Sequence, residues 1–344
     1  MSFKKLALIQ NGNLKFENLH LEKNNDQDLI LVKPLYVGVC SSDIPRAFEK
    51  KAYFYPLILG HEFSVEIIDD KRNYLKKGQK CSVFPLLPCF RCSICKKKKF
   101  NMCKKYSYYG SRVNGGMQTQ LYINRWNLLP LSSDIDTISA SLIEPIAVCV
   151  HAVKKINSSK KILIYGGGFL AQIISQLLIK KKCKVTCIDR NQYKEKFFNK
   201  EVFFTTFEED LEESSFDYVI ESCGAKNVLG KCIKYGKPEA KIIQLANPSK
   251  EMKINSNEIS TFMRKEQILI GTWNSEYRPD DHTKCDWRQT IKLLENEFLS
   301  VNKLISHKVG LAQAKELLNK IYSRKANPND ILGFNKAIIE INPD

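Results

Sequence analysis

Four cysteines within fifteen residues, Cys89, Cys92, Cys95 and Cys103, constrain this 344-residue chain more than any other feature. The spacing Cys89-x2-Cys92-x2-Cys95-x7-Cys103 lets one loop wrap a single ion. Four thiolates about 2.3 Å from a tetrahedral zinc close its coordination sphere. An iron–sulfur cluster uses similar spacings and is the chemical rival. A DNA-binding zinc ribbon would instead separate two C-x2-C pairs by about 15–20 residues. Zinc closed by four thiolates has no open position, so the predicted structural zinc supports a loop and performs no chemistry. Cys149, Cys183, Cys187, Cys223 and Cys232 lie in apolar runs and read as small buried residues.

The length suggests two domains. Up to about residue 150, short strand-like runs broken by Gly and Pro predict an all-β domain: Lys4 to Ile9, Leu29 to Tyr36, Phe63 to Ile68, Gln79 to Phe84 and Thr119 to Ile123. From Lys160 the pattern alternates strand and helix, which predicts a doubly wound parallel sheet covered by helices. The expected boundaries are 1–150, completed by the tail 298–344, and 151–297, with DWRQTIKLLENEF closing the second region.

The second region opens with KKILIYGGG running into FLAQIISQLLIKKK. Gly166, Gly168 and Ala171 fit G-x-G-x-x-A, with Phe169 and Leu170 starting an amphipathic helix. Glycines there permit a tight turn and close approach of a pyrophosphate, and the helix N-terminus supplies free N–H groups. Such turns are common, and the strand before and helix after give this one its weight. Asp189 ends the next strand, twenty-one residues beyond Gly168, where an acid accepts the adenosine ribose hydroxyls and repels a 2′-phosphate. That favours NAD over NADP, although Arg190 beside it can greet a 2′-phosphate. A βαβ unit without cofactor is the plainer alternative.

The net charge of +17 comes from 54 basic and 37 acidic residues. Lysine replaces arginine almost throughout, which reads as coding bias, and the runs Lys96 to Lys99 and Lys180 to Lys182 read as solvated faces. Neither carries the interleaved aromatics that single-strand binding wants, so no nucleic-acid partner is expected. No stretch is long and apolar enough for a membrane span, and the N-terminus lacks a signal-peptide pattern. The expectation is a cytoplasmic protein.

A sparser set contains Cys40, His61, Glu62 and Glu144, a donor mix that suits a catalytic zinc with about three protein ligands and one open position. Their separation in sequence alone does not distinguish ligands from core residues. The contexts do more: C-x-S-D at Cys40, G-H-E at His61 twenty-one residues on, then the cysteine loop, I-E-P at Glu144, the glycine turn and Asp189. In that order the chain resembles the zinc-containing medium-chain dehydrogenase/reductase family over its whole length. Within it, SSDIPR, YPLILGHEF, PLLPCFRC, YGSR, IEPIAV and GTWNS are similar to the dehydrogenases of polyols and polyol phosphates.

The resemblance implies a GroES-like catalytic domain, to which the tail returns, and a Rossmann NAD-binding domain. It implies two zinc ions per chain, the catalytic one held by Cys40, His61 and Glu144, with Glu62 either ligating directly or exchanging with water. Asp43 resembles the carboxylate that orients the ligating histidine. Ser42 resembles the hydroxyl that begins proton relay to solvent. The implied reaction oxidises a secondary alcohol of a polyol or polyol phosphate to the ketone in a dry cleft, with zinc as Lewis acid and NAD accepting hydride. Arg46 and Arg112, scarce arginines in a lysine background, are the candidates for a substrate phosphate. A homodimer or homotetramer is implied too. A free-polyol dehydrogenase and a basic zinc protein without catalysis are the competing readings.

Overall fold

A computed structural model describes residues 3–248, 251–281, 283–326 and 333–341. The chain divides into two compact units, Met1–Ala147 with Ser275–Asp344, and Val148–Asn274.

The first unit is built on a sheet ordered Leu128–Pro130, Lys80–Val83, Glu62–Asp69, Leu29–Gly38, Lys336–Glu340, Ile305–Gly310, with Leu121–Asn124 also paired to Leu29–Gly38. The last two strands of that order run parallel, and the other pairs are antiparallel. A smaller sheet joins Lys4–Gln10 to Asn13–Asn18 and Leu57–Ile58. Alternating side chains send Ile30 and Val32 from one strand and Phe63, Val65 and Ile67 from its neighbour into one core. The tail strand enters that core as well, through Ala337 and Ile339. Residues far apart in sequence thus meet at the end of Leu29–Gly38, where Gly38 pairs with both Glu62 and Ile338.

The second unit holds six parallel strands ordered Phe203–Thr205, Lys184–Ile188, Lys161–Tyr165, Phe216–Glu221, Gly236–Gln244, Ile268–Gly271. Numbered along the chain, this is the order 3-2-1-4-5-6 of a doubly wound dinucleotide-binding sheet. The glycine turn follows its first strand, at the point where the strand order reverses.

The boundary at Ser275 differs from the expected 298. Helix Asp286–Glu295 keeps the amphipathic period seen in the sequence, but its apolar face joins the first unit's core. Trp287 meets Phe84 edge-on at 5.3 Å, and its indole N–H donates to Ser275 Oγ at 3.0 Å. Tyr277 stacks on Phe84 at 4.2 Å. Large aromatic rings bury where partners of matching size exist, and here those partners lie in the β domain.

Candidate metal centres and cofactor turn

The cysteine loop folds around its own sulfurs. Cys92 caps the short helix Ser93–Lys96 and accepts the Cys95 N–H at 3.4 Å, while the Cys89 N–H points to Cys103 Sγ at 3.3 Å. All four sulfurs lie within 4.8 Å of one another, with Cys89 and Cys95 Sγ 3.9 Å apart. A zinc tetrahedron with about 2.3 Å bonds has edges of about 3.8 Å, so the sulfurs already stand near zinc spacing. All four thiols are free. Backbone N–H donation by Cys95 leads in bringing the Cys92 thiol down to about 6. Burial and the neighbouring thiols push Cys95 up to about 12. Thiols this crowded can all ionise only around a cation. Phe90 and Phe100 set the loop edge-on against Trp126, at 5.0 and 5.1 Å.

Cys40, His61 and Glu62 meet at the end of the large sheet, their donor atoms also within 4.8 Å of one another. Gly60, at φ +94, supplies the left-handed turn into His61. A Cβ on Gly38 would collide with the Glu62 carboxylate, so glycine there keeps space for that side chain. His61 Nδ1 faces Asp43 Oδ1 at 3.4 Å, and both buried atoms lack a hydrogen bond of good geometry. The pairing leaves Nε2 as the ring nitrogen available to a metal. Burial opposes a charge on His61, yet Asp43 and Cys40 raise its pKa well above the ordinary value. Asp43 is held below the usual carboxylate range, because His61 and Arg46 outweigh its burial. A thiol, an imidazole and a carboxylate converging beside an oriented histidine are a donor set that fits zinc with an open position.

Glu144 lies outside that tight trio. Its carboxylate accepts from Tyr108 OH at 3.0 Å, and the Tyr108 ring meets His61 edge-on at 5.7 Å. Burial, joined by the nearby Glu62 charge, pushes the Glu144 carboxyl up to about 7 against His61, Tyr108 and Lys336. Ser42 Oγ donates to Cys40 Sγ at 3.2 Å and accepts from Arg46 Nη1 at 2.8 Å. Arg46 also stands 3.6 Å from Asp43 Oδ1, so it belongs to this cluster. Arg112 is elsewhere, between the rings of Tyr53 and Tyr106.

Two residues here escaped the sequence reading. Lys336 is buried, donates to Val39 O at 3.1 Å and pairs with Glu62. Tyr108 links His61 to Glu144. Nothing distinguished Lys336 among the many lysines, whereas Tyr108 sits beside the quoted YGSR segment and was within reach.

In the second unit Gly166 adopts φ +103, and a Cβ there would stand 2.8 Å from Cys223 Cβ. Only glycine permits this turn. A Cβ on Gly168 would meet nothing within 4 Å, which leaves a cradle open above the N-terminus of helix Phe169–Lys180. Such a space and the free N–H groups beneath it fit a pyrophosphate. The Phe169 side chain is buried and Leu170 half-buried, so their contribution to the turn is backbone. Asp189 Oδ2 accepts the Gly167 N–H at 2.6 Å, and Arg190 is exposed beside it. Lys194, also missed in the sequence, is half-buried near Asp189; burial brings its ammonium down to about 8 while Asp189 opposes this. Cys223 corrects an expectation: it is exposed, two residues past the end of its strand at Glu221.

The alcohol dehydrogenase GroES-like domain family matches residues 26–133. The chain is 29% identical over 322 residues to galactitol 1-phosphate 5-dehydrogenase of Escherichia coli strain K12, covering 89% of this chain and 92% of that protein. The crystal structure of galactitol-1-phosphate dehydrogenase from Escherichia coli superposes with TM-score 0.85 at 25% identity, covering 98% of this chain and 99% of that one. A zinc-binding dehydrogenase structure from Sinorhizobium meliloti 1021 bound to NADP shares the fold, with TM-score 0.85 at 19% identity over 99% of each chain. Together with the two separate donor sets and the strand order of the second unit, these likenesses show a chain that carries an alcohol dehydrogenase GroES-like domain and is similar over most of its length to zinc-type sugar-alcohol dehydrogenases.

Proposed function

We propose that the protein oxidises a secondary alcohol of a polyol or polyol phosphate to the ketone, reversibly, with NAD as acceptor and one catalytic and one structural zinc per chain. The observation that carries this reading is the convergence of Cys40, His61 and Glu62 donor atoms within 4.8 Å, beside a hydroxyl and an oriented histidine. Likeness to a galactitol 1-phosphate dehydrogenase supports the substrate class.

Zinc, when bound, supplies a Lewis acid that makes an alcohol more acidic. NAD, when bound, supplies the hydride acceptor. Cys40, His61 and Glu62 would hold the first, with Glu144 near enough to feel the charges of His61 and Glu62. Asp43 fixes the His61 ring by facing Nδ1. Ser42 Oγ would take the alcohol proton as it releases its own, now donated to Cys40 Sγ, to the solvent that reaches this half-buried residue. The Arg46 guanidinium 2.8 Å away stabilises negative charge as it builds on that oxygen. Gly166, Gly168 and the helix N-terminus at Phe169 would seat the pyrophosphate, and Asp189 the adenosine ribose. The four cysteines of the loop would hold the structural ion.

The test is NADH formation by zinc-loaded protein against hexitols and pentitols, each beside its terminal phosphate, and again with NADP. Turnover with a polyol or its phosphate, abolished by Cys40→Ser, is the expected result. Fully metallated protein that oxidises none of these would refute the reading.

A further inference from the structure

The two candidate phosphate arginines stand in opposite electrostatic situations. Arg46 is spoken for: it lies 3.6 Å from the Asp43 carboxylate and donates to Ser42 Oγ. Arg112 has no carboxylate within ion-pair distance among the described residues. Its neighbours are neutral. The guanidinium carbon lies 4.6 Å from the Tyr53 ring centroid and 4.2 Å from that of Tyr106. Nη1 donates to Tyr106 O at 3.0 Å and Nη2 to Tyr53 OH at 3.3 Å. A guanidinium carries five N–H donors, so about three remain for a ligand.

The sequence around Arg112 keeps it so. Between Asp70 and Asp134 the chain has fourteen basic residues and no acidic one. The local field is therefore positive and attracts anions. The stack is also tied to the metal centre. Tyr106 meets Tyr108 edge-on at 6.2 Å, and Tyr108 meets His61 at 5.7 Å. Rings thus run in unbroken contact from the candidate ligand His61 to the half-buried guanidinium, and on to Tyr53, which is 62% exposed. A cation held between two rings and fixed by two hydrogen bonds has lost its rotamer freedom before any ligand arrives, which lowers the entropy cost of binding. Its remaining N–H fork suits the oxygens of a phosphate monoester.

We propose that the Tyr53–Arg112–Tyr106 stack is an anion-binding subsite that selects polyols carrying a terminal phosphate, with Arg46 excluded from that role. The Tyr53 hydroxyl, which accepts from Arg112, keeps its own proton to donate to a phosphate oxygen. The subsite rests on the polyol reading for the identity of its ligand, but its anion binding can be tested alone.

Two measurements decide it. In the first, inorganic phosphate is titrated into zinc-loaded protein at constant ionic strength set with chloride, and the thermal midpoint is followed. Stabilisation is expected for the wild type and for Arg46→Gln, and is lost in Arg112→Gln. In the second, kcat/KM is compared for a polyol phosphate and its unphosphorylated partner. Arg112→Gln lowers that ratio by about 10- to 100-fold, the size of a lost charge-assisted hydrogen-bonded pair, mainly through KM. Arg46→Gln lowers both members alike. Arg112→Lys, which keeps the charge and loses the fork, falls between wild type and Arg112→Gln, and serves if Arg112→Gln folds poorly. Phosphate stabilisation that is absent in the wild type, or equal in wild type and Arg112→Gln, overturns the proposal, as does an unchanged ratio. If the protein oxidises no polyol of either kind, the reaction assigned above falls, while the phosphate titration still decides the subsite.

Discussion

Lys336 on the tail strand places its ammonium on the carboxylate of Glu62, a residue 274 positions earlier, and both are buried. Lys336 also donates to Val39 O, so the pair is fastened to the backbone next to Cys40. Removing one partner of such a pair leaves an uncompensated buried charge and costs about 3–5 kcal/mol. Lys336→Met is expected to lose about that much in urea denaturation of the zinc-free protein, where no other cation shares Glu62, followed by tryptophan fluorescence. Combining it with Glu62→Gln removes the orphaned charge and should recover more than half of the loss. A single-variant loss under about 1 kcal/mol would mean that water reaches the pair.

For the cysteine loop, the prediction concerns metal and proteolysis together. Cys103 is buried and its sulfur takes the Cys89 N–H. Serine in its place is expected to lower zinc content from two to about one per chain, since a structural site needs all four ligands. The loop should then open, and trypsin should cut first in the exposed run Lys96 to Lys99. Full zinc content and unchanged tryptic resistance in Cys103→Ser would dismiss the structural-metal reading.

Those two cases also mark what the sequence could and could not reveal. The cysteine loop was legible because its ligands are local, and spacing alone encodes the geometry. The second unit was legible because strand, glycine turn and helix follow one another. Lys336 was not, since its role exists only once strand Lys336–Glu340 pairs with Leu29–Gly38 and brings Ile338 opposite Gly38. Helix Asp286–Glu295 shows a different limit. Its amphipathic period announced a buried face but not which core would receive it, and the answer lay in the fit of Trp287 to Phe84 and Tyr277. The arginines show a third, because scarcity against lysine drew attention to Arg46 and Arg112 alike, and only Asp43 tells them apart.

Acid stability should depend on Asp70. Its carboxylate accepts from Arg125 Nη2 at 2.5 Å, from the Leu75 N–H at 2.9 Å and from the Arg72 N–H at 3.0 Å. Burial alone would raise its pKa, but these donors, Arg125 foremost, bring it down to about 2. A depressed carboxyl binds fewer protons folded than unfolded. Its contribution is therefore complete above an unfolded value near 3.8 and is lost as the pH falls toward about 2. The shift corresponds to about 2 kcal/mol. Stability measured by urea between pH 5 and pH 2 should fall by that amount more in the wild type than in Asp70→Asn, which loses it at every pH. Parallel pH profiles would show that the pair is already broken in solution.

Cofactor choice should turn on Asp189. Its Oδ2 is engaged by the Gly167 N–H at 2.6 Å, which fixes the carboxylate at the glycine turn, and Oδ1 accepts the Asn191 N–H at 2.9 Å. A carboxylate so held accepts ribose hydroxyls well and repels a 2′-phosphate. The cations are already in place for the opposite preference, with Arg190 exposed next to it and Lys194 half-buried nearby. Asp189→Ser removes the repulsion and leaves both cations nearby for a phosphate. The ratio of kcat/KM for NAD over NADP should fall by about 100-fold, the worth of roughly 3 kcal/mol in charge-assisted contacts. Because the substitution touches no residue of the metal centre, kcat with saturating NAD should fall much less than that ratio. A wild type that already prefers NADP, or a ratio that Asp189→Ser leaves unmoved, would transfer the selection to Arg190 and Lys194, and Arg190→Ala would then carry the change.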